Sequence, residues 1–83
     1  MPVHLENVPA AVSQLRALGF PVINIRLALP KLTGLDHKKI AGAVGTSDKN
    51  ITAHLNDHRQ NAIIQKRIAK FYGVPTEELF ENE

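Results

Sequence analysis

The sequence predicts an all-α protein, a compact bundle of about five or six short helices containing a helix-turn-helix. Three observations carry that expectation. Apolar residues recur at three- and four-residue intervals along most of the chain, the period of helices packed on one side. Pro9, Gly19, Gly34, Gly45, Gly73 and Pro75 fall where those periodic stretches begin and end. Strand signals are weak, because β-branched residues rarely alternate with polar ones over a useful length.

The first helix is expected from about Pro9 to Leu18, with Val8, Val12, Leu15 and Leu18 as its apolar stripe. Pro9 suits a first helical turn and Gly19 a stop. A second helix begins near Pro21, with Ile25, Ala28, Leu29 and Leu32 facing inward, and Pro30 should end or kink it. Thr33-Gly34-Leu35 then reads as a turn. Asp36 is a good N-cap for a third helix, His37 to Val44, whose inner face is Ile40, Ala41 and Val44. Gly45 stops it. Thr46 and Ser47 supply the cap of a fourth helix, running from Asp48 to about His58 with Ile51 and Leu55 inside. After the polar loop Arg59-Gln60-Asn61, a fifth helix runs from Ala62 to Tyr72 on a stripe of Ile64, Ile68, Phe71 and Tyr72. Gly73 ends it. Pro75-Thr76 opens one last turn, Glu77 to Phe80, with acids in its first turn as the helix dipole favours.

At 83 residues the chain has room for one domain with a modest core. Residues 21–83 read as the helix-turn-helix domain, and residues 1–20 as an extra helix whose role is open. The chain has no cysteine, which excludes a disulfide framework and any thiolate zinc site. No apolar run approaches membrane-spanning length, and no basic-then-apolar leader opens the chain, so the expectation is a cytoplasmic protein without a membrane partner.

Charge is unevenly spread. Arg26 to Lys70 holds nine Lys/Arg and three Asp/Glu, a balance of +6 (9 − 3), whereas Phe71 to Glu83 holds four acids and no base. A basic body with an acidic tail is the footprint of a nucleic-acid binder, although a solubilising surface has the same composition.

The segment Lys38 to Leu55, KKIAGAVGTSDKNITAHL, carries the function. Two short helices with a glycine at the bend mark a helix-turn-helix. Ala41 must be small where the helices cross, and Gly45 frees the backbone for positive φ. Ile40, Val44, Ile51 and Leu55 fill the wedge between the helices. No acid-base pair or nucleophile-base spacing stands out, so the chain does not read as an enzyme, and no cofactor or small-molecule substrate is implied.

On Ile40-Ala41, Val44-Gly45-Thr46, Ile51 and Leu55 the chain resembles the lambdoid Cro and repressor-like helix-turn-helix proteins, the Xre family, and among them compact phage- and mobile-element-associated regulators. RIAKFYGVPTEELF, Arg67 to Phe80, looks like the closing helices of that family, and Ile25 to Leu35 like its first helix. The resemblance covers about 60 of the 83 residues and leaves out residues 1–20. Three positions depart from it. Thr46 stands where a buried aliphatic is commoner, and His54 where an apolar residue is usual. His37 opens the first helix of the motif, where Gln is frequent and touches a phosphate.

At 100° per residue, Lys49, Thr52, Ala53 and Asn56 lie opposite Ile51 and Leu55 on the fourth helix. That polar, small face suits the major groove: Lys49 reaches guanine acceptors, Asn56 pairs with adenine, and Ala53 offers a methyl to thymine. Asp48 and Asn50, in the first turn, touch base edges or only cap. The resemblance assigns base reading to Asp48, Lys49 and Asn50, and one turn later to Ala53. Phosphate contacts are expected from His37, Lys38, Thr46 and Ser47 at helix N-termini, and from Arg59 beyond the fourth helix.

Other features read more plainly. Lys66, Arg67 and Lys70 form a solvated face with diffuse attraction for DNA. His54 and His58 are four apart but lack a third metal ligand at a useful spacing, and are expected to flank the core partly buried. Phe71, Tyr72 and Phe80 belong to the core rather than to a base-stacking platform.

The function expected from this reading is sequence-specific binding of a double-stranded DNA operator by a transcriptional regulator, a repressor, acting as a homodimer on half-sites about one helical turn apart. Two rivals are a protein-interaction module that keeps the fold without reading DNA, and the DNA-binding component of a transposition or restriction system.

Overall fold

The computed structural model describes residues 3–56 and 58–80. They form six α-helices with no strand among them: α1 (Val8–Ala17), α2 (Val22–Thr33), α3 (His37–Val44), α4 (Asp48–Leu55), α5 (Ala62–Tyr72) and α6 (Thr76–Leu79). A 3-10 turn, Leu5–Asn7, leads into α1. The thinnest dimension is 17 Å, room for two helix layers at 8–10 Å spacing. None of the helices formed by the described residues is long and apolar enough to cross a membrane.

One core joins all six helices. Val8 and Val12 from α1, Ile25 and Leu29 from α2, Ile40 from α3, Ile51 and Leu55 from α4, and Ile68 and Tyr72 from α5 are all buried, with Leu79 and Phe80 closing the floor. Removing each of these larger side chains from water contributes about 1.5–3 kcal/mol. α3 packs on α4 and α5, α2 on α6 and α4, and α1 on α2. The N-terminal helix is thus part of the same core as residues 21–80. The Val3 N–H donates to the Leu32 carbonyl at 2.6 Å, tying the start of the chain to α2.

Several boundaries differ from the sequence reading. α1 starts at Val8, one residue early, and ends at Ala17, so Leu18 is a cap residue and not the last member of the stripe. It is 74% exposed, because the turn through Gly19 (φ 91°) swings it out of the α1–α2 contact. Leu15 is only half-buried. Pro30 neither ends α2 nor confines Thr33 to a turn. The helix runs through to Thr33, and Gly34 ends it in the left-handed region. Proline costs one backbone donor here, but Leu29, Pro30 and Thr33 are all buried, and the Thr33 hydroxyl donates to the Leu29 carbonyl at 2.8 Å. α4 stops at Leu55 rather than near His58. Asn56 caps it, and the His58 and Arg59 N–H groups both close on the Ala53 carbonyl instead of extending the helix. Asn61, read as loop, is the N-cap of α5, its Oδ1 accepting from the Ile63 and Ile64 N–H groups. α6 begins at Thr76 and ends at Leu79, with Phe80 as its buried cap.

Candidate functional site

The α3–α4 pair is built from caps. Asp36 Oδ1 accepts the Lys39 N–H at 2.8 Å and starts α3. Gly45, at φ 85°, ends it, and the Gly45 and Thr46 N–H groups both donate to the Ala41 carbonyl. Only Thr46 and Ser47 then separate Gly45 from α4. Ser47 is the cap, its Oγ accepting the Asn50 N–H at 3.1 Å. Thr46 is not. Its Oγ1 accepts from Asn50 Nδ2 at 2.7 Å instead, so the hydroxyl at this half-buried position has a partner within the turn.

Ile51 and Leu55 face the core, and Asp48, Lys49 and Thr52 stand exposed on the other side of α4. Ala53 and Asn56 are half-buried at the edges of that face. Asn56 Nδ2 donates to the Thr52 carbonyl at 2.9 Å, which directs its amide back along the helix end. Asn50 is removed from the exposed set: half-buried, its side-chain amide donates to Thr46 and its backbone carbonyl accepts from His54. The Asp48 carboxylate accepts the Lys49 N–H at 3.0 Å.

His37 and Thr52 are brought together across the two helices, with His37 Nδ1 2.7 Å from Thr52 Oγ1. The Thr52 hydroxyl also lies 3.0 Å from the Asp48 carbonyl, so this one oxygen links the His37 ring to the α4 backbone. The N-terminus of α3 is thereby locked to the middle of α4. Lys38 and Arg59 are exposed and lie apart from this contact.

Contrary to expectation, His54 and His58 do not both flank the core partly buried. His58 is exposed, whereas His54 is 1% exposed and fully engaged. Its Nδ1 donates to the Asn50 carbonyl at 2.7 Å, and its Nε2 accepts the Asn61 N–H at 3.3 Å. An imidazole at this core position is accommodated because both ring nitrogens have partners. Among the described residues no group of three His, Cys, Asp or Glu could hold a metal ion.

Arg26 is the positioning residue that charge counting misplaced. It is 4% exposed, with its Nε 3.4 Å from the Leu55 carbonyl and its Nη1 2.7 Å from the Leu79 carbonyl. It therefore holds the C-terminal end of α4 against α2 and α6. The other eight cations between Arg26 and Lys70 (nine less Arg26) are all exposed and keep the surface basic. The sequence signal for Arg26 was its position between Ile25 and Leu29 on an inward-facing helix. The signal for Asn61 was a cap residue directly before an apolar period.

Comparison with protein families, with characterised proteins and with solved structures yields no match to this chain.

Proposed function

We propose that the protein is a sequence-specific binder of double-stranded DNA, acting as a transcriptional repressor, with α4 entering the major groove in helix-turn-helix manner. The observation that carries this reading is the split character of α4. One face is sealed by Ile51, His54 and Leu55, and the other offers Asp48, Lys49 and Thr52 to solvent. An exposed, narrow, polar helix face on a rigid support is what base-edge readout requires. Lys49 is the base-reading cation, with Thr52 and Ala53 beside it. Lys38 and Arg59, the latter just beyond the helix, supply phosphate contacts. His37 serves this reading indirectly, by holding Thr52 and the α3 N-terminus in register.

Selection of bound sequences from a random duplex pool, followed by a salt titration on the winning site, tests the proposal. A defined consensus and a steep fall of log affinity with log salt are expected from a protein that neutralises several phosphates. No enrichment together with a flat salt response removes the DNA-binding reading and leaves a protein-contact role for the same fold.

A further inference from the structure

Leu18, Phe20, Ile23 and Leu27 are 74%, 48%, 37% and 38% exposed, yet they follow one another within ten residues of chain. Leu18 is not on a loose loop. The Leu18 N–H donates to the Gln14 carbonyl, Gly19 to Arg16, and Phe20 to Leu15, all within 3.1 Å, so the turn holds the leucine outward. Ile23 and Leu27 are four apart and share the outer face of α2. Beside them a groove of about 230 Å³ runs between α1 and α2, lined by Leu15, Phe20, Asn24, Ile25, Ala28 and Leu32.

We propose that this face is the contact surface for a second copy of the chain, with Leu18 of each copy seated in the α1–α2 groove of the other. The arrangement supplies the two-fold partner that the DNA-binding reading calls for but does not depend on it. Charge argues for a copy as the occupant. From Ala17 to Pro30 the only charged residue is Arg26, which is buried; the exposed Arg16 and Lys31 stand at the two ends of this stretch, and Arg16 donates to the Glu78 carbonyl, so charge is confined to the rim of the face. The cation-bearing outer faces of α3, α4 and α5 would repel one another. A protruding leucine next to an apolar groove is self-complementary, the condition for an isologous interface. Area argues the same way. At roughly 200 Å² for a fully exposed residue of this size, the four fractions leave about 400 Å² of largely apolar surface per copy. Two copies, with the polar rim that such interfaces carry, then bury about 1,300 Å² in total, inside the range of stable dimers.

Sedimentation velocity on the full chain over about 1–500 µM tests the proposal, with Leu18→Asp and Ile63→Asp compared against the unaltered protein. Ile63 is 63% exposed on α5, outside the face, and serves as the control. Circular dichroism on each variant checks the fold, which neither exposed substitution should disturb. The unaltered chain and Ile63→Asp should sediment as dimers, and Leu18→Asp should weaken association at least about tenfold. A monomeric unaltered chain throughout that range, or a folded Leu18→Asp that associates as tightly as the unaltered chain, overturns the proposal. Lys49→Ala should leave the association constant unchanged, so a failure of DNA reading would not be mistaken for a failure of this interface.

Discussion

Arg26 Nη1 donates to the Leu79 carbonyl at 2.7 Å, tying α2 to α6. The same guanidinium lies 4.9 Å from the centre of the Phe80 ring and reaches the Leu55 carbonyl through Nε. A planar fork does all three, and a lysine ammonium cannot. Arg26→Ala should therefore destabilise the fold by about 2–4 kcal/mol, a fall in Tm of about 10 °C or more for a domain this small. Arg26→Lys should recover less than half of that. Thermal melts of the two variants decide it, and a lysine variant with unaltered Tm would mean that charge alone suffices.

His54 joins α4 to the cap of α5 through its two ring nitrogens. His54→Leu keeps the bulk of the side chain and removes both bonds, stranding the Asn61 N–H. A loss of about 1–3 kcal/mol is expected. Urea unfolding measures it. Unchanged stability would reduce the imidazole to a filler of space.

Tyr72 is fully buried, and its hydroxyl has no hydrogen-bond partner. Burial pushes its phenol well up from the usual value, and the neighbouring Thr33 hydroxyl offsets this only in part, without reaching bonding geometry. The folded state thus keeps a proton that the unfolded chain releases near pH 10. Stability from this group is complete below that pH and is lost as pH rises above it, by up to about 1.4 kcal/mol per pH unit. Tyr72 is the only tyrosine, and there is no tryptophan, so phenolate absorbance reports this group alone. It should rise only as the chain unfolds in base. Tyr72→Phe should remove that ionisation and gain up to about 1 kcal/mol at neutral pH. Phenolate absorbance appearing while the helical signal is intact would contradict this account.

Lys49 and Arg59 should fail differently if α4 reads DNA. Lys49 projects from the first turn of α4, and Arg59 follows its end. Lys49→Ala should narrow the gap between selected and random duplex by about 1–3 kcal/mol. Arg59→Ala should lower both affinities together and reduce the salt slope by about one. Binding isotherms at several salt concentrations separate the two. Equal losses for Lys49→Ala on both duplexes would make it a phosphate anchor.

Local chemistry made most of the helices legible. Asp36 before His37, Gly45 after Val44 and Gly73 after Tyr72 each act within a few residues of themselves, and both bounds of α3 and the end of α5 follow from them directly. The exposed positions Asp48, Lys49 and Thr52 were equally readable, because a helix with two apolar inner residues has only one opposite face.

What the residue order did not display was how turns and polar side chains are engaged once the chain is assembled. Pro30 looks like a break because a proline lacks a donor, but packing on both flanks of α2 outweighs that cost. Leu18 continues an apolar period that its own turn then carries into solvent. Asn50 reads as an exposed amide until its Nδ2 is seen to donate to Thr46 Oγ1 within the turn. Arg26 counts as surface charge until the carbonyls of Leu55 and Leu79, 29 and 53 residues away, converge on it. Helix propensity and capping are short-range and are written in neighbouring residues. The burial of a polar group depends on which distant backbone atoms can satisfy it, and only the assembled fold brings those atoms within bonding distance.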